Sequence, residues 1–144
     1  MPTRTSKQHL QVRKTLASIF MNLKMKDEHA IKWNGKTYLL DIFVPQFNVA
    51  FEVQGRQHVE YVPFMHGAKD NFARQKKLDV EKVQACIANG IKLIYIYHTD
   101  KITSDLLLTL IHGEDDERIA TREHRRDDAS DSNVDGSSAT GEQA

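Results

Sequence analysis

Two carboxylates stand inside the most strand-like part of this chain, Asp41 in "YLLDIFV" and Glu52 in "VAFEVQ", and Gln54 and His58 follow shortly after. The turn signal "PQFN" at Pro45 to Asn48 separates the two segments. They therefore read as neighbouring antiparallel strands on which Asp41 and Glu52 face each other. Two carboxylates held that close repel unless a cation lies between them. Hard oxygen donors of this kind suit Mg²⁺ or Mn²⁺, which bind through one or two carboxylates together with water and substrate phosphate. His58, with an ordinary pKa near ~6.5, is a candidate to accept a proton from an attacking water or to donate one to a departing oxygen. Gln54 can do neither, but it can orient water or contact a phosphate oxygen. The competing reading gives each acid a lysine partner elsewhere in the fold and makes His58 a loop residue that caps backbone carbonyls. His66, His98 and His112 have no partner pattern around them.

The elements that must position these groups follow from periodicity. Val12, Leu16, Ile19, Phe20 and Leu23 recur at spacings of three and four, which predicts a helix over Ser6 to Met25. "NGK" at Asn34 to Lys36 is a hairpin signal between "HAIKW" and "TYLLDIFV", so three antiparallel strands end in "VAFEVQG". A second helix is expected over Asn71 to Asn89, stopped by Asn89-Gly90. "IKLIYIYHT" is apolar on both faces and reads as a central buried strand, followed by a short helix from Ser104 to His112. The order α-β-β-β-α-β-α predicts an α/β fold, with the last strand beside the Glu52 strand in a mixed sheet flanked by helices. No internal repeat is visible.

Length and composition limit the function classes. At 144 residues and 40% hydrophobic content the chain suits one packed domain. Cys86 is the single cysteine, which rules out an internal disulfide or a cysteine zinc site and fits a reducing, intracellular and hence cytoplasmic setting. No apolar run approaches the ~20 residues of a membrane span, and the first residues lack the apolar core of a secretory signal. The formal charge of zero hides a division: residues 1 to 113 carry 16 Lys and Arg against 10 Asp and Glu, whereas 114 to 144 carry 4 against 10. The expected organisation is a basic globular domain over 1 to 113 and an acidic, disordered tail over 114 to 144, removable without loss of catalysis. A basic domain of this size suits a polyanionic partner.

"LDIFVPQFNVAFEVQGRQH" followed by "FARQKKLDVEKVQACIANGIKLIYI" resembles the PD-(D/E)XK, or restriction-endonuclease-like, nuclease superfamily. The similarity is greatest to its branch of very-short-patch repair nucleases and EDxHD homing endonucleases, and it covers Thr37 to Tyr97. It implies a restriction-endonuclease-like core in which Asp41 is the central metal ligand and Glu52 the second carboxylate. Gln54 falls where the superfamily usually has lysine. His58 matches the histidine of a Gly-x-x-His element, and Asp79 and Lys82 match polar positions of the following helix, with Gln75 one turn earlier. These relatives usually carry a glutamate on the first helix, where this chain offers Gln8 and Gln11. A glutamine amide oxygen, a water or Glu28 would then take that role, or the copy is catalytically weakened.

The expected activity is metal-dependent hydrolysis of double-stranded DNA, as in a phage or mobile-element homing or repair endonuclease. Arg56, Lys69, Arg74, Gln75, Lys76 and Lys77 are the expected DNA contacts, and a homodimer would allow both strands to be cut. Tyr61, Phe64 and Phe72 could wedge into a base step or simply pack in the core. The alternative is a non-catalytic DNA-binding module that retains the fold. An RNA nuclease of the same fold is a third reading, because phosphate and metal chemistry do not distinguish the sugar.

Overall fold

The computed structural model of the protein describes residues 6–54 and 69–122, without the side chains of residues 69–72. In chain order the elements are α1 (Lys7–Ile19), β1 (Lys26–Trp33), β2 (Lys36–Val44), β3 (Val49–Gln54), α2 (Lys69–Ala88), β4 (Lys92–Tyr97) and α3 (Ser104–His112). The strands form one mixed sheet in the order β1-β2-β3-β4, with β3 and β4 parallel and the other pairs antiparallel. The class is α/β, as the element order predicts.

Local signals set most boundaries. Ser6 caps α1 by accepting the His9 backbone N–H on its hydroxyl. The β1–β2 turn places Asn34 at φ 53° and Gly35 at φ 78°, both left-handed, which is the type I′ geometry of a two-residue hairpin. After α2 the chain turns at Gly90 (φ 71°), where Ile91 N–H bonds the Cys86 carbonyl and Gly90 N–H bonds that of Ile87, the Schellman pattern. The first helix is shorter than the spacing predicts. It ends at Ile19, and Leu23 and Met25 reach the core from the connecting segment instead, where Asn22 turns the chain at φ 57°.

The sheet is covered on both faces. Val12 and Leu16 of α1 with Leu107, Leu110 and Ile111 of α3 pack against Ile42, Val44, Phe51, Ile94 and Ile96. On the other face Ala85 and Cys86 of α2 pack against Tyr38, Leu40, Phe43, Ala50 and Leu93. Leu78 and Val80 of α2 are exposed.

Two expectations need correction. β4 is apolar enough for a central strand but lies at the end of the sheet order. Its outer edge is paired instead by a C-terminal segment: Ile119 bridges Ile94, Tyr95 N–H bonds the Arg118 carbonyl at 2.7 Å and Ala120 N–H bonds that of Leu93 at 2.8 Å. Arg118 grips Asp100 at 2.6 and 3.0 Å, and Ile119 is fully buried. The packed domain therefore runs through Arg122, past the boundary expected at residue 113, because apolar Ile119 and the hydrogen bonds of β4 outweigh the acidic composition around them. Residues 123–144 of the expected tail lie outside the described residues. No helix among the described residues is long and apolar enough to cross a membrane.

Candidate functional site

The pairing of β2 is interrupted at Asp41. In the β2–β3 ladder the register runs Val44↔Val49, Phe43↔Ala50, Ile42↔Phe51 and stops one step short of Asp41 and Glu52. Toward β1 it runs from Ile42↔Asp27 to Leu40↔His29, skipping Asp41 and Glu28, and Glu28 sits at φ 49°. A left-handed non-glycine backbone costs of the order of 1 kcal/mol. Leu40 packs on the α2 face while Ile42 packs on the other, so the side-chain alternation of β2 also slips here.

The two acids replace the missing ladder bonds. The Glu52 carboxylate accepts the Asp41 backbone N–H at 2.6 Å through Oε2, and the Asp41 carboxylate accepts the Val53 N–H at 2.9 Å through Oδ2. The strands are thus locked by side chains at the point where they part. Glu52 is only 6% exposed and its other oxygen, Oε1, accepts from Lys82 Nζ of α2 at 2.9 Å. Burial pushes the Glu52 carboxyl above its usual range, and the charge of Asp41 adds to that shift against the opposing pull of the Lys82 ammonium. Beneath it the Cys86 thiol is pushed up to about 12, first by burial and then by Glu52, so it stays protonated and inert.

Of the residues singled out in the sequence, the fold brings Asp41, Glu52 and Lys82 together. Gln75 and Asp79 bond to each other one helical turn apart on α2, Nε2 to Oδ1 at 3.0 Å. Arg74, Lys76 and Lys77 are exposed on the same helix. Arg56 and His58 lie outside the described residues, as do Tyr61 and Phe64 and the side chains of Lys69 and Phe72. Gln8 serves a different purpose from the metal ligand considered above: its amide nitrogen donates to the carbonyls of Tyr97 (2.6 Å) and Asp100 (3.4 Å), clasping α1 to the end of β4. Gln11 is exposed, and the alternative Glu28 is skipped by the β1–β2 register together with Asp41.

Sequence reasoning did not single out Tyr95 and Tyr97. They alternate along β4 on the α2 side, where Tyr95 is the register partner of Glu52 and Tyr97 that of Gln54. With Gln54, Lys76, Asp79 and Val83 they line a cavity of about 210 Å³. Burial, then the charges of Asp79 and Glu52, raise the Tyr95 hydroxyl pKa. The i, i+2 spacing of two tyrosines next to the acidic strand was the available signal. A larger cavity of about 510 Å³ lies at the other end of the sheet, near Asn48 and Lys92. There the Lys92 ammonium already donates to the carbonyls of Ile111 and Gly113, and none of the paired acids reaches it.

Among the described residues no cluster of three or more His, Cys, Asp or Glu side chains is set to hold a metal. Two facing carboxylates still fit a hard divalent cation, because Mg²⁺ keeps several waters and needs only one or two protein carboxylates. Asp41 and Glu52 are the residues that would hold it.

An α/β domain with a carboxylate pair and a lysine at the split end of its sheet is the class that fold and site define. In sequence, parts of the chain are similar to viral proteins. The matches are to "Uncharacterized protein 094L" of Frog virus 3 (isolate Goorha), 40% identical over 46% of this chain and 44% of that protein, and to "Uncharacterized protein 307L" of Invertebrate iridescent virus 6, 31% identical over 43% and 32%. "Uncharacterized protein 033L" of Invertebrate iridescent virus 3 is 30% identical over 48% of this chain and 36% of its own length. The chain spans less than half the length of each of these relatives. No protein-family description and no solved structure matches it.

Proposed function

We propose that the protein is a metal-dependent endonuclease that hydrolyses phosphodiester bonds in double-stranded DNA, with a restriction-endonuclease-like core. The observation that carries this reading is the Asp41–Glu52 pair, each acid bonded to the other's strand and Glu52 met by Lys82 at 2.9 Å. A folding unit gains little by setting a second acid beside the buried Glu52, and such pairs are typical of sites that bind cations. Asp41 and Glu52 hold the cation, Mg²⁺ or Mn²⁺, whose contribution is Lewis acidity toward a phosphate oxygen and a water of lowered pKa.

The chain's own groups complete the chemistry. Lys82, which meets Glu52 at 2.9 Å, takes over in this reading the part of the lysine that Gln54 replaces, and its ammonium offsets charge on the phosphate. His58 carries the proton to or from the reacting oxygens. The exposed Arg74, Lys76 and Lys77 of α2 supply cations to the DNA backbone on the same side of the sheet. A break in both strands requires a homodimer or two successive nicks. Similarity to viral proteins is compatible with a nuclease acting on viral or host DNA inside the infected cell, and a homing or repair role falls within that setting.

One observation favours a second reading, a non-catalytic DNA-binding module. Lys82 already neutralises Glu52 without any metal, and Gln54 cannot replace the usual lysine chemically. Incubating the full chain with supercoiled plasmid, and in parallel with an RNA duplex, in Mg²⁺, Mn²⁺ or chelator separates the readings. The endonuclease nicks or linearises DNA only with metal. A mobility shift without cleavage in any metal leaves the binding module, and preferential RNA cleavage moves the assignment to an RNA nuclease.

A further inference from the structure

We infer that Lys82 is a transferable counter-ion, which holds Glu52 until a divalent cation enters the acid pair and then becomes the binding site for a phosphate-class dianion, so that cation and anion bind cooperatively. The inference rests on the proposed reading of the Asp41–Glu52 site and adds to it an order of events and a linkage between two ligands.

The hydrogen bonds of the pair leave it one movable part. Three of its four carboxylate oxygens accept from the chain: Glu52 Oε2 from the Asp41 N–H at 2.6 Å, Asp41 Oδ2 from the Val53 N–H at 2.9 Å, and Glu52 Oε1 from Lys82 Nζ at 2.9 Å. The two N–H donors are fixed in the backbones of β2 and β3. Lys82 instead reaches Glu52 from α2 on a flexible four-carbon stem, and its side chain is 24% exposed against 8% for that of Glu52. A cation held by both acids therefore has the ammonium, and not a strand, as its competitor.

Electrostatics favours exchange over sharing. An ammonium and a divalent ion on one carboxylate oxygen would stand about 4 Å apart, where like charges repel strongly in a site that admits little water. Lys82 does not leave on its own either, because Glu52 is buried and a buried carboxylate stripped of its cation is strongly destabilising. One cation thus replaces the other.

The displaced ammonium needs a new counter-charge. Asp79 lies three residues earlier on α2, within reach on the same helix face, but it already holds Gln75 at 3.0 Å and has further contacts. The exposed Arg74, Lys76 and Lys77 of that helix favour an incoming anion, and lysine binds phosphate as a compact point charge. Since the anion site exists only while Lys82 is off Glu52, each ligand raises the affinity of the other by the same factor.

Two measurements on the full chain test the exchange, alongside plasmid cleavage. A brief pulse of acetic anhydride, read by peptide mass spectrometry, follows the ammonium itself; calorimetry with Mn²⁺ and sulfate, a dianion of phosphate shape, reads the linkage. Lys82 should be acetylated about tenfold faster in saturating Mn²⁺ than in chelator and be protected again by sulfate, with no Mn²⁺ effect in Asp41→Ala. Sulfate should tighten Mn²⁺ binding about tenfold in the wild type and leave it unchanged in Lys82→Met. Acetylation of the wild type carries the test if Lys82→Met fails to fold. Mn²⁺ binding with Lys82 still protected overturns the exchange. So does a sulfate effect that persists in Lys82→Met, which puts the anion on the metal alone, or release of Lys82 with no sulfate effect, which puts the ammonium on Asp79. Metal-dependent cleavage without release removes the exchange and keeps the endonuclease; release and linkage without cleavage remove the endonuclease and leave a coupled cation and anion site. A protein that binds no Mn²⁺ overturns both.

Discussion

The two faces of the sheet differ in what they bury. Under α1 and α3 the core is aliphatic and aromatic throughout, from Val12 and Leu16 to Phe51, Ile94 and Leu110. Under α2 the apolar core of Leu40, Ala50, Cys86 and Leu93 gives way, toward the ends of β3 and β4, to Glu52, Gln54, Tyr95 and Lys82. Neighbouring residues on one strand thus enter different environments: Phe51 points into the apolar face and Glu52 into the polar one. On the proposed reading the contrast separates stability from function within a single sheet, because the α2 face is the one that sets Glu52 and Gln54 among its apolar residues.

That separation can be broken or sharpened by substitution. Phe51→Ala should cost about 3–5 kcal/mol in denaturant unfolding through lost burial and the cavity left behind, and would reduce cleavage only through the fraction unfolded. The next largest effect belongs to the C-terminal segment. Ile119→Ala should cost about 2–4 kcal/mol, and truncation after Gly113 should destabilise the domain by exposing the β4 edge, whereas truncation after Arg122 should leave the unfolding midpoint nearly unchanged. Equal midpoints for the two truncations would show that residues 114–122 do not hold β4.

On the polar face the expected effects are on activity. Lys82→Met should lower the cleavage rate about 10- to 100-fold while tightening Mn²⁺ binding in the absence of DNA, since the ammonium no longer occupies Glu52. Calorimetric titration with Mn²⁺ reads the second effect independently of turnover. The smallest effect concerns stability and pH. Because the folded-state pKa of Glu52 is raised, the folded protein keeps a proton that the unfolded chain releases. The stabilising contribution is therefore fully present below the ordinary carboxylate pKa, near ~4.3, and is lost as pH rises through the raised value. Glu52→Gln should remove this slope and leave metal-free protein equal to or up to about 2 kcal/mol more stable at neutral pH, by unfolding in chelator across pH 4 to 8. A wild type that gains stability with pH over that window, with Glu52→Gln less stable, would mean that Lys82 outweighs burial.

Much of this arrangement is legible in the sequence because it depends on short-range chemistry. Asn34-Gly35 dictates a two-residue turn, that turn and Pro45 to Asn48 fix the registers of β2, and the β2–β3 register ends one step short of Asp41 and Glu52, which leaves each acid within reach of the other's strand. Asn89-Gly90 ends α2 where its backbone needs a left-handed residue. What escapes the sequence depends on distant contacts. The end of α1 is hidden because Leu23 and Met25 keep a helical spacing while packing from a non-helical segment. The edge position of β4 is hidden because Ile119, set among charges, covers its outer edge through an isolated bridge to Ile94. The Lys82–Glu52 contact joins residues 30 apart in the chain, and a lysine at that position could equally have faced solvent. The interruption of both ladders at Asp41 has no sequence signature apart from the acids themselves.

The claim that function resides on the α2 face rests on Asp41, whose carboxylate locks the split strands. The most direct test compares wild type and Asp41→Ala, both shown folded by circular dichroism, on supercoiled plasmid in Mn²⁺ and in chelator. The account predicts metal-dependent nicking by the wild type, none above background by Asp41→Ala, and similar DNA affinity for both. Nicking by Asp41→Ala at the wild-type rate, or no metal-dependent nicking by the wild type, would contradict it.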